Sequence, residues 1–294
     1  MSHPRRRNLE RFRVISLLTV VALFCILAQA QSQTPNVNAI LDDSFRSMYN
    51  LQFDQALSKA EQAKQADKTD PMPWVAQASA VLFREFDRLH ILRSDMFASD
   101  DAFSSRPAYS WVPASRKQFD DALAGGEKVA QDRLNRDKKD TKALFALALF
   151  NGLQADDAAL ITKRNMTALS FTKSATGYAD KLLAIAPDFY DAYVATGMGK
   201  YIIGGKAAPV RWVLRIGGLK GDQEEGLKEL RLASERGRYL APFARILLAF
   251  DDLRHKDKTA ARKKFELLRE QFPGNPLFAQ EIQKCNNASF SGGQ

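Results

Sequence analysis

Cysteine and histidine are scarce in this chain of 294 residues, which contains two cysteines and three histidines. Cys25 lies in an apolar N-terminal run, and the second thiol is that of Cys285. A single thiol outside that run cannot form an internal disulfide, so packing must hold the fold together. His3 lies near the N-terminus, and neither His90 nor His255 has a metal-ligating neighbour at helical spacing. The sequence therefore predicts neither a metal site nor a Ser-His-Asp triad.

Motifs of catalysis and nucleotide binding are also missing. The chain has no G-x-S-x-G, the motif of the α/β-hydrolase nucleophile. The stretch YIIGGKAAPVRWVLRIGGLKGD, residues 201–222, places Lys206 after Gly205 as a phosphate-binding loop does. That motif also needs a glycine where Lys200 stands and a hydroxyl where Ala207 stands. We therefore predict no nucleotide, no other cofactor and no catalytic residue.

Four pairs of adjacent aspartates are the remaining groups with catalytic potential. Two carboxylates can act as acid and base in glycoside hydrolysis. Pairs between apolar helical segments are more typical of helix starts and solvated faces, and we predict that role here. The pairs are Asp100-Asp101, Asp120-Asp121, Asp156-Asp157 and Asp251-Asp252.

Alternation of apolar and polar residues, the pattern of a β-strand, is nearly absent. From residue 38 onward Ala, Leu, Lys, Glu, Gln and Arg dominate, with apolar residues at helical spacing. Short turn signals separate the helical segments, such as DKTDPMP at 67–73 and APD at 186–188. Because turns this short place consecutive helices antiparallel, the sequence predicts an all-α fold built of helical hairpins.

The longest apolar run lies at the N-terminus. Residues 1–13 carry five arginines and one glutamate, residues 14–28 are uncharged, and A-Q-A follows at 28–30. This order is typical of a secretory signal peptide, here cleaved after Ala30. The alternative is an uncleaved membrane anchor, although the run is shorter than the ~20 apolar residues of a spanning helix. We expect an exported protein of the periplasm or cell envelope.

The net charge of the chain is mildly basic. It is +9 at pH 7, and removal of five arginines and one glutamate with residues 1–30 leaves +5. Such a charge permits contact with anionic lipid or cell-wall polymers without requiring it. Export, together with the lack of an aromatic-basic RNA motif, argues against nucleic acid. The expected partner is a protein or a peptide.

An internal repeat organises the helical part of the chain. In two copies the first alanine stands 12 residues before a proline, with a bulky residue between them. Small residues let paired helices approach closely, and proline ends the second helix because it cannot continue the hydrogen-bond ladder. The two copies are Ala175, Ala179, Leu182 and Pro187, and Ala261, Phe265, Leu268 and Pro273.

This pattern resembles the tetratricopeptide repeat, W-x₂-L-G-x₂-Y…A-x₃-F…P, over residues 38–278. Thr196 replaces the leucine before Gly197, and no copy has the tryptophan. The resemblance implies a right-handed superhelical array of antiparallel helical hairpins, a solenoid whose first helices line a groove for a helix or extended peptide. The implied groove residues are Asp191, Val194, Met198, Tyr201, Phe243, Ile246, Phe250 and Arg254.

Two insertions interrupt the repeat, near residues 96–114 and 204–222. The first is rich in Ser, Asp and Pro, which predicts a long exposed loop or a disordered lid. The second is predicted to break the array, with its apolar residues packed on the adjacent hairpin. The alternative is a short amphipathic contact with a membrane or a partner, through Arg211, Trp212, Leu214 and Arg215. Residues 31–37 are predicted to be a flexible stretch and residues 279–294 a C-terminal tail.

Together these features predict a non-enzymatic protein-interaction scaffold of the bacterial cell envelope. Two alternatives stay open at this point. One is a peripheral membrane or lipid-associated protein that uses residues 210–216. The other is a non-catalytic partner of an envelope enzyme complex.

Overall fold

A computed structural model of the protein describes residues 36–97, 106–205 and 221–287. Within these ranges every regular element is helical, which confirms the predicted all-α fold. The predicted signal peptide and its cleavage site lie outside the described residues. The α-helices are α1 (Val37–Tyr49), α2 (Phe53–Ala66), α3 (Met72–Arg88), α4 (Pro113–Arg136), α5 (Thr141–Asp156), α6 (Asn165–Ile185), α7 (Tyr193–Gly204), α8 (Gln223–Arg236), α9 (Ala241–Arg254), α10 (Lys258–Gln271) and α11 (Pro276–Asn287).

Three short helical turns join these helices. A 3₁₀ helix (Ser94–Phe97) follows α3, a π turn (Asp157–Ile161) continues α5, and a second 3₁₀ helix (Tyr190–Ala192) leads into α7. Single π turns often mark a local irregularity in an otherwise regular helix. The first two of these turns contact distant parts of the chain, as described below.

The eleven helices pack in neighbouring pairs along the chain. Helix α1 packs on α2, α3 on α4, α5 on α6, α7 on α8 and α9 on α10, and each second helix also packs on the first helix of the next pair. Contacts of α3 with α1 and with α5 add a layer of first helices. This arrangement is compatible with a helical repeat.

The small and bulky residues of the repeat pattern lie at the contacts between paired helices. Ala179 and Ala261 have no exposed surface, nor do the leucines that follow them in the pattern, Leu182 and Leu268. Helices α6 and α10 each end two residues before the proline of their copy. The repeat pattern therefore corresponds to the contacts that hold the hairpins together.

Helix α5 with its π turn forms the apolar centre of the chain. Among the described residues, Thr141–Ile161 is one helix long and apolar enough to cross a membrane by length and composition alone. Most of it is buried inside the protein, including Phe145 and Phe150. Its hydrophobicity is therefore that of a core helix.

The first hairpin lies against the last helices of the chain. The Tyr49 hydroxyl at the end of α1 donates a hydrogen bond to the carbonyl of Tyr239, 190 residues later, at 2.9 Å. The side-chain amide of Asn275 donates to the carbonyl of Tyr49 at 2.9 Å. The rings of Phe45 and Tyr239 lie 4.8 Å apart. The two ends of the described array therefore meet.

The second half of the first insertion is a largely exposed loop up to Val112, as its composition predicts, but two of its side chains anchor it to the fold. Arg106 is buried, and its guanidinium donates to the carbonyls of Ala159 and Leu160 in the π turn. Trp111 stacks on Phe119 of α4, with 5.1 Å between ring centroids. Composition predicted a loop because the packing residues are few and their contacts are distant in sequence.

Residues 279–287 also differ from expectation, because they belong to α11 and not to a tail. Glu281, Ile282 and Cys285 are buried against the rest of the fold. The predicted C-terminal tail begins where the repeat pattern ends. Helix α11 continues beyond this point because its apolar residues pack against the rest of the fold.

Candidate functional site

Asp191, the first of the predicted groove residues, is buried, and its contacts are structural. It is 5% exposed, and its carboxylate accepts hydrogen bonds from the backbone N–H groups of Arg238, Tyr239 and Leu240. These are the N–H groups that precede α9, which its own residues leave uncapped. Burial raises the pKa of this carboxyl, while the three N–H donors lower it. Val194 is also buried, at 6% exposure, so that neither residue lines a groove.

We group four of the other predicted residues, on α7 and α9, as the α7–α9 surface. It consists of Met198 and Tyr201 on α7 and of Ile246 and Phe250 on α9, all half-buried. The Tyr201 hydroxyl donates a hydrogen bond to Asp251 Oδ1 at 2.7 Å, which joins the two helices. Each pair of residues is three or four positions apart and therefore shares one face of its helix.

One edge of this surface is covered by the chain itself. The ring of Phe250 stacks on Phe97 with 5.1 Å between centroids and 21° between planes. Arg254 Nη1 lies 3.4 Å from the carbonyl oxygen of Phe97 and donates to it. Phe243 packs edge to face on Phe83 of α3, at 5.9 Å. Phe243, Phe250 and Arg254 therefore contact the N-terminal helices, where the sequence predicted an open groove.

The short helix that covers this edge is also held by α11. The backbone N–H of Ser94 donates to Glu281 Oε1 at 3.2 Å, and its hydroxyl donates to Glu281 Oε2. Lys284 Nζ donates to Asp95 Oδ2 at 2.8 Å and to Glu281 Oε1 at 2.9 Å. We call the four residues of this short helix the Ser94–Phe97 segment. Its partners on α9 and α11 are 150 or more residues away in sequence.

The second insertion begins and ends at one point of the α7–α8 hairpin. A Cβ built on Gly221 would lie 2.4 Å from the backbone nitrogen of Gly204. The N–H of Asp222 donates to the carbonyl of Lys200 at 3.1 Å, and its carboxylate caps α8 by accepting from the N–H of Glu225. Glycine permits this approach because it has no side chain.

The predicted contact residues of this insertion lie outside the described residues. They are Arg211, Trp212, Leu214 and Arg215. The hairpin is held together on both sides of the insertion. Residues 206–220 are therefore not needed to pair α7 with α8.

A polar cluster that the sequence did not predict surrounds the π turn. Asp157 is 3% exposed and accepts hydrogen bonds from Trp111 Nε1 and Arg116 Nη1, each at 2.8 Å. Burial raises the pKa of the neighbouring Asp156 to about 7, and no described residue donates to its carboxylate. The solvated role expected for this acidic pair is therefore wrong for Asp157. Its position directly after the apolar run of α5 is the signal that indicates burial.

The described ranges contain no group of three or more His, Cys, Asp or Glu side chains that could hold a metal ion. Cys285 is buried, and burial is the main cause of the raised pKa of its thiol. A raised thiol pKa lowers the fraction of reactive thiolate. This residue is therefore an inert packing group.

Searches for similar proteins return nothing: no protein-family model, no curated protein sequence and no solved structure matches the chain.

Proposed function

We propose that the protein is a non-enzymatic scaffold of the bacterial cell envelope that binds a protein partner. The α7–α9 surface carries the proposal. The hydrogen bond from the Tyr201 hydroxyl to Asp251 links α7, which carries the half-buried Met198, to α9, which carries the half-buried Ile246 and Phe250. An apolar strip with a few polar groups at its edge suits a partner helix or an extended peptide.

The order of helix contacts supports a tetratricopeptide-like architecture. The second helix of each pair packs on the first helix of the next, as stacked helical hairpins require. A right-handed superhelical twist is part of the proposal. Tyr49 at the end of α1 contacts Tyr239 and Asn275, so that the first hairpin also packs against the turns before α9 and α11.

Site-specific photo-crosslinking tests the scaffold. A photoreactive amino acid is placed at Met198 or at Ile246 in the full-length protein, and the control position is the exposed Lys263 on α10. We expect the same discrete adduct from the first two positions in envelope fractions and none from the control. Adducts that are identical at all three positions would mean non-specific contact and would reject the α7–α9 surface.

Export is tested separately by expression of the full-length chain in a bacterium. We expect the protein in the periplasmic or envelope fraction, with Gln31 as the first residue of the mature chain. Recovery from the cytoplasm with Met1 intact would reject this part of the proposal. An intact N-terminus in the membrane fraction would favour the uncleaved anchor.

A peripheral membrane role is the second candidate, because the α7–α8 hairpin closes without residues 206–220. Flotation with vesicles of anionic and of neutral lipid tests it. Salt-sensitive binding to anionic vesicles that is lost in the Trp212→Ala, Arg215→Ala double variant would favour this role. Equal behaviour of wild type and variant would leave the scaffold as the better account.

A further inference from the structure

The contacts of the Ser94–Phe97 segment resemble those of a peptide bound to a protein surface. Glu281 accepts hydrogen bonds from both the N–H and the hydroxyl of Ser94. Lys284 pairs with the carboxylate of Asp95 at 2.8 Å. Consecutive residues of one short segment therefore meet separate groups of α11.

The contacts continue at the other end of the segment with groups of α9. The ring of Phe97 stacks on Phe250, and the Arg254 guanidinium donates to the Phe97 carbonyl. Cationic, anionic and aromatic contacts in a fixed order are the elements by which a surface distinguishes one peptide from another. The surface on α9 and α11 therefore matches a serine, an acidic residue, one spacer and an aromatic residue.

The segment is only partly enclosed by the fold: Ser94 is buried and Met96 and Phe97 pack against the core, whereas Asp95 is exposed. The side chain of Asp95 is 71% exposed, and Phe97 is only half-buried. The core residue nearest before the segment is Ile91, at 1% exposure. Lys284 still pairs with Glu281 when Ser94 leaves, so the buried carboxylate keeps a cationic partner. Local opening of a four-residue segment costs less than global unfolding.

We propose that Phe250 and Arg254 of α9 with Glu281 and Lys284 of α11, here called the α9–α11 surface, form a recognition site for a short peptide of a protein partner. The order of that peptide is serine, acidic residue, spacer, aromatic residue. In the protein alone, the Ser94–Phe97 segment occupies this site as an internal ligand that the partner displaces. The inference rests on the proposed scaffold function in one respect, which is that the partner is a protein. It names the chemistry of the peptide that the scaffold binds.

The internal ligand determines how tightly a partner peptide must bind in order to displace it. A tethered segment competes at an effective concentration on the order of millimolar. A peptide that makes the same contacts therefore binds the wild-type protein weakly. Weakening the internal segment raises the affinity for the external peptide, because less competition remains.

The test uses a fluorescein-labelled peptide with the sequence of residues 93–97, RSDMF, and the full-length mature protein. Fluorescence anisotropy is measured with wild type and with the Asp95→Ala, Phe97→Ala double variant. We expect the variant to bind with a Kd at least about tenfold lower than wild type. The scrambled peptide FSMDR is the control. In the double-variant background, Phe250→Ala and Lys284→Ala should each abolish binding, whereas Lys263→Ala should leave it unchanged.

Circular dichroism and thermal melting establish that the double variant is folded. If it does not fold, Asp95→Ala alone is used, because that side chain lies mostly in solvent. A folded variant that ignores RSDMF at millimolar concentration, or binds the scrambled peptide equally, contradicts the proposal. Dimerisation of the wild-type protein through exchange of this segment would make a second copy the partner and would also overturn it. The synthetic peptide needs no envelope partner, so that failure here is distinguishable from failure of the crosslinks at Met198 and Ile246.

Discussion

The carboxylate of Asp191 accepts a hydrogen bond from the backbone N–H of Leu240 at 2.9 Å, so that a residue of the 3₁₀ helix before α7 caps the start of α9. The same carboxylate accepts from the N–H groups of Arg238 and Tyr239. One buried side chain therefore satisfies three backbone donors of a turn 47 to 49 residues away. Two consecutive hairpins are tied together at this point.

Substitution of Asp191 by alanine should destabilise the fold strongly. Three backbone donors would lose their acceptor, two of them on buried residues, and we expect a loss of roughly 2–4 kcal/mol in the free energy of unfolding. Urea denaturation followed by circular dichroism measures this change. Asp191→Asn should cost less, because its amide oxygen still accepts. Asp188→Ala is the control, since Asp188 is exposed three residues earlier, and equal losses at the two positions would contradict the capping role.

Two helical glycines should respond to alanine with opposite signs. A Cβ on Gly226 of α8 would lie 2.6 Å from the carbonyl oxygen of Gly197 and 2.7 Å from the nitrogen of Tyr201. Backbone atoms of a packed helix cannot yield easily, so Gly226→Ala should cost about 2 kcal/mol or more. A Cβ on Gly152 of α5 meets nothing within 4 Å, and Gly152→Ala should stabilise by ~0.5–1 kcal/mol.

Thermal and urea denaturation of the two alanine variants measure both changes in the free energy of unfolding. The contrast is informative because both substitutions have the same effect on helix propensity. If Gly226→Ala were as stable as Gly152→Ala, the close approach of α7 and α8 would be wrong. A loss at both positions would instead indicate that α5 is more closely covered than described.

The sequence predicts the helices and their pairing well because both depend on local patterns. Ala179 and Leu182 fall at helical spacing and are buried where α6 meets its neighbours. The open groove was not predicted correctly for a physical reason. Asp191 and Phe250 were placed on it by counting from a proline, whereas their partners come from turns and helices far away in the chain. Spacing within one hairpin contains no information on which distant segment covers it.

The stability of the protein should depend on pH through Asp156. Burial raises the pKa of its carboxyl to about 7 in the folded state, against ~3.9 in an unfolded chain. Between these values the folded state binds a proton that the unfolded state does not. The stability that the protonated Asp156 contributes to the folded state is therefore fully present below about pH 4 and is lost as pH rises toward 7.

Asp156→Asn should remove this dependence, because an amide does not ionise. We expect the variant to gain on the order of 2 kcal/mol relative to wild type between pH 4 and pH 8, with the gain levelling off above pH 7. Glu235→Gln, an exposed position on α8, is the matched control and should change little. A difference between variant and wild type that is constant across this range would mean that Asp156 titrates as it does in the unfolded chain.

The two insertions should differ when each is replaced by a glycine-serine linker. Residues 206–220 leave and re-enter the α7–α8 hairpin at the contact of Gly204 with Gly221, and the hydrogen bond from Asp222 to Lys200 closes it. A short linker in place of 206–220 should therefore leave the melting temperature within a few degrees of wild type.

The same kind of linker in place of residues 106–110 should destabilise the protein. It removes the bonds from the Arg106 guanidinium to the carbonyls of the π turn, and it loosens the backbone that holds the N–H of residue 109 at 2.8 Å from the carbonyl of Ile161. Buried carbonyls without donors cost about 1–3 kcal/mol each, so we expect a fall in melting temperature of roughly 5 °C or more. Differential scanning calorimetry of the two variants measures both effects. A large loss on replacing 206–220, with none on replacing 106–110, would reverse the roles that the contacts assign to the two insertions.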